Sequence, residues 1–403
     1  MKKREIIEGV IKDYDFPNKG SFELDGKKVI VKGALPGQKV SCMVSKVRKD
    51  KAEARLLDVL ERSEIEDAVP PCPQFGICGG CAYQTMSYEH QLELKAGQVK
   101  KLLDGVIDSE THPYDWEGII GSPVTTAYRN KMEYSFGDEY KDGPLVLGLH
   151  KKNSMYDIVP VCNCVIVSED YNRIVSYTME FAREHGLSYH KKMQHVGLLR
   201  HLVLRQSKTN GGLLVNLVTS TDGLENLDLN AYVDGLLALP LDGTIIGILH
   251  TANDSLADAV VPEKVTLLYG RDYIEEEVLG LHFQISPFSF FQTNTKSAER
   301  LYSKAREYAG DTKDKLIFDL YSGTGTIAQM LSPVASKVIG VEIVEEAVEA
   351  ARENAKSNGL DNCEFIAGDV LKVIDTIEEM PISSSFLMIP LWISTRWKYC
   401  SDS

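Results

Sequence analysis

The chain has 403 residues, of which 43% are hydrophobic and 25% are charged, so it is long enough to form two or three hydrophobic cores. We find no run of roughly 18 apolar residues and no apolar segment after the basic start MKKREIIEGV, a pattern that predicts neither a membrane span nor a secretory signal. We therefore expect a cytoplasmic protein with no membrane partner. The net charge of −14 argues against a chain that binds nucleic acid over its whole surface.

The first 60 residues differ from the rest in charge, with 14 Lys or Arg against 9 Asp or Glu. They contain five short strand-like runs separated by turns: IIEGVIKDY, SFELDG, KKVIVKG, QKVSCMVSKVRK and KAEARLLDVL. Five short strands predict a small OB-type β-barrel over residues 1–62, a fold that often binds nucleic acid. A lysine-rich face exposed to solvent, without a ligand, is the alternative.

A cysteine cluster follows the acidic, proline-bearing linker SEIEDAVPPCP. The stretch CPQFGICGGC contains Cys72, Cys78 and Cys81, three of the eight cysteines of the chain. In a reducing compartment, clustered cysteines more often bind a metal than form a disulfide. Thiolates suit iron–sulfur clusters and zinc alike, so the spacing leaves both metals open.

Residues 63–270 mix strand-like and helix-like runs, which predicts an α+β middle domain. Two of its strand-like runs, AYRNKMEYSF and LLRHLVLR, place five basic residues among aromatic and aliphatic ones: Arg129, Lys131, Arg200, His201 and Arg205. Such mixtures are typical of RNA contact, where Arg and aromatic planes stack on bases and cations meet phosphates. Ordinary surface charge on strands is the alternative.

Residues 271–403 alternate helix and strand, the pattern of a doubly wound α/β domain with a parallel sheet. In DLYSGTGTIA, Gly323 and Gly325 allow a tight turn between a strand and a helix, and Glu342 follows at the next strand tip. This arrangement is typical of sites for adenine nucleoside cofactors, because a carboxylate there can hold two ribose hydroxyls.

The identity of the cofactor depends on further residues. The glycine spacing, with Ala328, also satisfies the dinucleotide pattern of NAD enzymes. Asp319 before the turn and Asp369 after the third strand instead favour S-adenosyl-L-methionine (AdoMet), whose ribose, adenine amine and cationic methionine end can meet acidic groups. Glycines that merely turn a strand into a helix are the third alternative.

The chain contains the runs SFFQTNTKSAERLY, DLYSGTGTIA, VIGVEIVEEAVEAARENA and AGDV, together with C-x5-C-x2-C and the basic N-terminal segment. In this combination the sequence resembles the RumA/TrmA-type RNA uracil-5-methyltransferases. The resemblance covers residues 1 to about 380 and is strongest to the 23S rRNA branch. It implies a TRAM (OB-type) barrel over 1–62, an iron–sulfur segment and RNA-binding α+β domain over 63–270, and a Rossmann-like class I AdoMet methyltransferase domain over 271–403.

The resemblance also implies ligands. The AdoMet contacts carried over by motif are Gln292, Tyr321, Gly323, Gly325, Thr326, Glu342 and Asp369. The ligands implied for a structural [4Fe-4S] cluster are Cys72, Cys78, Cys81 and Cys164, with Cys162 as the alternative fourth ligand and zinc as the alternative metal. The expected partner is RNA, specifically 23S rRNA, and a monomer is favoured.

The end of the chain departs from the family pattern. These enzymes add a Cys thiolate to uracil C6, transfer the methyl group to C5 and use a Glu to remove the C5 proton, with D-P-P-R-like and S-C-N-P motifs. Residues 381–403 read PISSSFLMIPLWISTRWKYCSDS and contain neither motif. Cys400 lacks the nucleophile's surroundings, so no catalytic residue is assigned.

We therefore expect a frameshift or truncation near residue 381, a methyltransferase domain that lacks its last strands, and an inactive chain. Two further functions stay open: a non-catalytic RNA-binding protein and an NAD-dependent oxidoreductase.

Overall fold

The computed structural model describes residues 1–108, 111–310, 312–373 and 385–388. The chain divides into two compact units, Met1–Gly121 and Ser122–Ser403. None of the helices in the described ranges combines the length and the apolar character that a membrane crossing requires. The three-domain division from the sequence stays a prediction.

A six-stranded sheet makes up most of the first unit. Its strands are β1 (Ile6–Val10), β2 (Asp13–Asp15), β3 (Lys19–Leu24), β4 (Lys27–Lys32), β5 (Lys39–Val47) and β6 (Lys51–Glu61). Their order is β1-β5-β6-β4-β3-β2, and every pair except β4–β6 is antiparallel. Alternate residues of β4 and β5 point inward, so that Val29, Val31, Val40 and Val44 are fully buried in one apolar core.

Six strands occur where the sequence predicts five, because the first predicted run is split. Ile11 leaves β1 and exchanges backbone hydrogen bonds with the turn between β4 and β5, donating to the Gln38 oxygen and accepting from the Gly37 amide, both at 2.8 Å. Asp13–Asp15 then pairs with β3 as a separate strand. The assignment of this sheet to the TRAM type stays a prediction.

Helix α1 (Tyr88–Asp104) completes the first unit. The Ser87 hydroxyl caps its start by accepting a hydrogen bond from the His90 amide at 3.4 Å. Near its end, the Lys101 ammonium lies 2.6 Å from a carboxylate oxygen of both Asp13 and Asp15, which ties the helix to β2. The cysteine-bearing segment runs between β6 and α1.

A seven-stranded sheet opens the second unit. Its strands are β7 (Lys131–Asp138), β8 (Leu145–His150), β9 (Ile158–Pro160), β10 (Leu199–Gln206), β11 (Gly212–Thr219), β12 (Thr244–Ala252) and β13 (Lys264–Gly270). Their order is β13-β12-β11-β10-β7-β8-β9, with β10 and β11 buried at every residue. Helices α2 (Glu169–Glu184) and α3 (Leu229–Leu237) belong to this part, so the predicted mixture of strands and helices is found.

The rest of the second unit consists of a β-hairpin, β14 (Ile274–Val278) and β15 (Leu281–Ile285), followed by a parallel α/β structure. The elements of that structure are α4 (Thr295–Ala309), β16 (Thr312–Leu320), α5 (Thr326–Leu331), β17 (Ala335–Glu342), α6 (Glu345–Ser357), β18 (Cys363–Ala367), α7 (Val370–Val373) and β19 (Ser385–Met388). Strands β18, β17, β16 and β19 form a parallel sheet in that order. Successive residues of β16 enter separate cores, Ile317 one and Phe318 another. Two cores and a parallel sheet confirm the doubly wound α/β prediction.

Strand β19 is the element that the sequence analysis did not expect. Residues 385–388 (SFLM) pair in parallel with β16, from Leu316 opposite Ser385 to Asp319 opposite Met388. A strand edge offers unpaired backbone groups, and a short apolar run can satisfy them. The sheet therefore has a fourth strand on the side where the sequence predicted none.

Candidate functional site

The site is built around the turn that joins β16 to α5. Three residues of this turn have positive φ angles: Tyr321 (64°), Gly323 (54°) and Gly325 (73°). A Cβ atom at Gly325 would lie 2.5 Å from Cε1 of Phe365, so only glycine fits there. The backbone thus turns sharply at the carboxyl end of the parallel sheet, and the amides of Ser322 and Gly325 are already bonded to the Val341 and Ser322 oxygens.

Glu342, the last residue of β17, holds this turn. Its Oε2 accepts a hydrogen bond from the Gly323 amide at 3.0 Å. Its Oε1 accepts from the amides of Ile343 at 2.9 Å and Val344 at 3.1 Å. A carboxylate accepts about four hydrogen bonds in all, so one lone pair stays available for a ligand hydroxyl. The carboxylate therefore has the position and the capacity to bind a ribose.

Asp319 lies beneath the turn and is fully buried. Its Oδ2 accepts a hydrogen bond from the Ala328 amide at 2.9 Å, whereas Oδ1 has no partner among the described residues. Burial, reinforced by the negative charge of Glu342, raises the pKa of Asp319 to about 7. The sequence singled out this residue by its position before Tyr321, but its complete burial depends on distant packing.

Gln292 lies in the loop that precedes α4. Burial and the charge of Asp319 raise the pKa of Tyr302 in α4, and the side chain of Gln292 acts in the opposite direction. The backbone oxygen of Gln292 accepts from Asn130 Nδ2 at 2.9 Å, which fixes the loop before α4. Tyr302 was missed in the sequence because a buried tyrosine at a helical interval reads as core.

The remaining predicted residues lie at the same edge of the sheet. Glu342 ends β17 opposite Ala367 of β18, and Asp369 follows two residues later. Asp369 is exposed, and its Oδ1 accepts from the Leu371 amide at 3.0 Å. Thr326 begins α5 and is buried. The ends of three neighbouring strands therefore bring Tyr321, Glu342 and Asp369 to one edge, where ligands bind in such folds.

Comparisons with known proteins bear on this arrangement. Residues 311–386 match a family model described as a methyltransferase domain. An uncharacterized RNA methyltransferase of Clostridium acetobutylicum is 49% identical over 94% of this chain and 82% of its own length. One from Caldanaerobacter subterraneus subsp. tengcongensis is 48% identical over 94% of this chain and 83% of its own. The crystal structure of Pyrococcus abyssi tRNA (uracil-54, C5)-methyltransferase with S-adenosyl-L-homocysteine is similar over 90% of this chain and 80% of that one, with a TM-score of 0.66 and 25% identity.

The chain belongs to the RumA/TrmA-type family of RNA methyltransferases. The resemblance inferred from the motifs is therefore confirmed. The site around Gly323 and Glu342 lies within the part that matches the methyltransferase domain.

The four cysteines expected to bind metal belong to different units of the chain. Cys72, Cys78 and Cys81 are thiols in the first unit, and Cys164 is a buried thiol in the second. Burial and the neighbouring Cys72 raise the pKa of Cys78, whose sulfur accepts from the Gly80 amide at 3.4 Å. The described residues bring no three His, Cys, Asp or Glu side chains close enough to hold a metal ion. Thiolates are ligands that fit an iron–sulfur cluster.

Three of the five basic residues predicted to contact RNA are buried: Arg200, His201 and Arg205. Arg200 is buried and donates to the backbone oxygens of Asn253 (2.6 Å), Ser255 (2.9 Å) and Ala257 (2.7 Å). His201 is buried as well, and burial lowers its pKa to about 4. Ordinary surface charge is therefore the wrong explanation for these three buried residues. Arg200 has largely used its donors to hold the loop at 253–257.

Cys400 lies outside the described residues, as do all residues from 389 to 403.

Proposed function

We propose that this chain is an AdoMet-dependent RNA uracil-5-methyltransferase by descent, cytoplasmic and monomeric, with 23S rRNA as its RNA partner. The observation that carries the proposal is the 3.0 Å hydrogen bond between Gly323 and Glu342 at the carboxyl end of the parallel sheet. The likeness to the Pyrococcus enzyme, which holds S-adenosyl-L-homocysteine, supports AdoMet rather than NAD.

Each residue has a role in this proposal that follows from its chemistry. AdoMet supplies the methyl group when bound. Glu342 accepts a hydrogen bond from one ribose hydroxyl, and Asp369 lies at the adjacent strand end, where it can meet the adenine amine. Asp319, buried beneath the turn, and Gln292, in the loop before α4, are the residues left for the methionine end. Because AdoMet carries a net positive charge, an edge lined by carboxylates attracts it.

Catalysis requires more than these residues. Uracil C5 becomes nucleophilic only after a thiolate adds to C6, and reactive thiolates need a low pKa. Burial raises the pKa of Cys42 to about 11 and also raises that of Cys363. The 403 residues contain no S-C-N-P or D-P-P-R motif. We therefore propose that the chain binds AdoMet and RNA without completing methyl transfer.

The second candidate is a non-catalytic RNA-binding protein, which the missing catalytic motifs favour; it differs from the first in binding no AdoMet. Calorimetric titration with AdoMet and a radiolabelled methyl-transfer assay on unmodified ribosomal RNA separate the two. We expect AdoMet at 100 times its Kd to raise the free energy of unfolding by about 2.7 kcal/mol, whereas NAD should leave it unchanged. The assay should show no methyl transfer. Turnover would contradict the proposed lack of catalysis, and RNA binding without AdoMet binding would select the second candidate.

We also propose that Cys72, Cys78, Cys81 and Cys164 bind a structural [4Fe-4S] cluster. Soft thiolates suit iron–sulfur clusters, and amide hydrogen bonds to sulfur, like that from Gly80 to Cys78, are typical of such sites. Purification without oxygen should give a brown protein with about four irons per chain by elemental analysis. Zinc in place of iron would contradict this assignment.

A further inference from the structure

Arg205 is a buried cation whose hydrogen bonds are incomplete. Its side chain lies on β10 opposite Lys131 of β7 and is 1% exposed. One guanidinium nitrogen, Nη2, donates to the backbone oxygen of Ser289. The other two, Nε and Nη1, have no partner among the described residues. Buried arginines are almost always paired, so these two donors point to a missing acceptor.

The immediate surroundings of Arg205 are positive. Burial and the charge of Arg205 lower the pKa of Lys131 to about 8, and the charge of Arg129 acts in the same direction. Arg129 is held beside them, since its Nε donates to the Lys131 backbone oxygen at 2.8 Å. The carboxylate that acts on Lys131 is Glu133. Three cations against one carboxylate leave an unbalanced positive charge in a largely buried place.

This cationic cluster, defined as Arg129, Lys131 and Arg205, lies beside the loop that carries Gln292. Asn130, between the first two cations, donates from Nδ2 to the Gln292 oxygen at 2.9 Å and from its amide to the Thr293 oxygen at 2.8 Å. Ser289, the acceptor of Arg205, belongs to the same loop. An anion bound at the cluster would therefore lie next to a residue predicted to contact AdoMet.

We propose that the cationic cluster binds one phosphodiester group of the RNA, next to the nucleotide presented to the methyl donor. Two N–H groups of one guanidinium plane match two phosphate oxygens. A bound phosphate would therefore accept from Nε and Nη1 of Arg205 and balance the excess positive charge of the cluster. The carboxylate of AdoMet is the other anion available. However, AdoMet carries two positive groups and is cationic overall, so three cations favour the RNA phosphate. This inference rests on the proposed RNA partner.

The test compares the full chain with its Arg205→Met variant in binding a single-stranded, uridine-containing RNA over a series of salt concentrations. We expect roughly tenfold weaker RNA binding and a salt dependence reduced by about 0.7 in log K against log salt, the loss of one phosphate contact. AdoMet affinity should stay unchanged. The melting temperature without RNA should stay equal or rise, because removing an uncompensated buried charge does not destabilise a fold.

Two further variants keep the test decisive. Arg183→Met removes an exposed arginine that donates to the Leu145 oxygen, and it should leave the salt dependence unchanged. Lys131→Gln should weaken RNA binding whereas Lys131→Arg should retain it, which carries the test if the Arg205 variant does not fold.

Unaltered RNA affinity in Arg205→Met and Lys131→Gln would overturn the phosphate site. Loss of AdoMet binding with RNA binding retained in Arg205→Met would also overturn it and would assign the cluster to the cofactor carboxylate. If the unmodified chain binds RNA but not AdoMet, the proposed methyltransferase function fails while the phosphate site stands.

Discussion

Replacing Gly325 by Ala perturbs the turn before α5 in two separable ways. The residue has a φ of 73°, and an L-residue in the left-handed region costs roughly 1–2 kcal/mol. The added Cβ would also lie 2.5 Å from Cε1 of Phe365 and 2.9 Å from Cβ of Ala351. Both neighbours belong to a packed core, where overpacking costs about 1–3 kcal/mol. We therefore expect a total loss of about 2–5 kcal/mol.

Gly359→Ala is the matched control, because it contains the backbone cost alone. Gly359 has a φ of 66°, close to that of Gly325, but no heavy atom lies within 4 Å of its added Cβ. It follows α6 in the same unit, so both variants are measured in one fold. We expect Gly359→Ala to lose only about 1–2 kcal/mol.

Hydrogen–deuterium exchange of the β17 amides measures the opening free energy of this part of the protein directly. The loss in Gly325→Ala should exceed that in Gly359→Ala by about 1–3 kcal/mol, the contribution of Phe365 and Ala351. AdoMet affinity should fall at least tenfold in Gly325→Ala and stay unchanged in Gly359→Ala. Equal losses of opening free energy in the two variants would refute the steric argument.

Three other predictions concern single side chains. Glu342→Gln should weaken AdoMet binding about tenfold, or about 1.4 kcal/mol, because an amide cannot accept hydrogen bonds on both of its terminal atoms; exposed Glu346→Gln is the calorimetric control and should change nothing. Burial raises the pKa of Asp319 from 3.8 to about 7. The folded protein therefore holds a proton there more tightly than the unfolded chain, and this contribution to the free energy of unfolding is full below about pH 4 and is lost as the pH rises through 7. Asp319→Asn should therefore reduce the fall in the urea midpoint of unfolding as the pH rises from 4 to 7. The same fall in the variant and in the unmodified chain would contradict the burial argument. Cys81→Ser should lose most of the iron in elemental analysis, whereas Cys42→Ser should keep it, and equal iron contents would exclude Cys81 as a ligand.

Much of the α/β part could be predicted because its signals are local. The alternation of helix and strand between residues 295 and 367 follows from apolar periodicity, and the glycine turn follows from the spacing of Gly323 and Gly325. Glu342 could be assigned to a strand tip for the same reason. These features depend on fewer than about 30 consecutive residues, which is the range of a single strand–helix–strand unit.

Other features depend on contacts that a local pattern does not contain. Strand β19 forms because residues 385–388 find the edge of β16, about 70 positions earlier in the chain. The first predicted strand is split because Ile11 bonds to the turn at residues 37 and 38. The perturbed pKa of Asp319 arises from burial under the glycine turn and from Glu342. None of these follows from the residues adjacent in sequence.

Arg200 and Arg205 illustrate the limit most directly, because they share one strand and one sequence pattern, LLRHLVLR. Arg200 finds three backbone oxygens at residues 253, 255 and 257 and becomes part of the structure. Arg205, equally buried, finds one oxygen at Ser289 and keeps two donors without a partner among the described residues. The difference lies in acceptors more than 50 positions away, so composition and periodicity treat the two residues alike. A count of donors against acceptors separates them, and it assigns Arg200 to stability and Arg205 to a ligand.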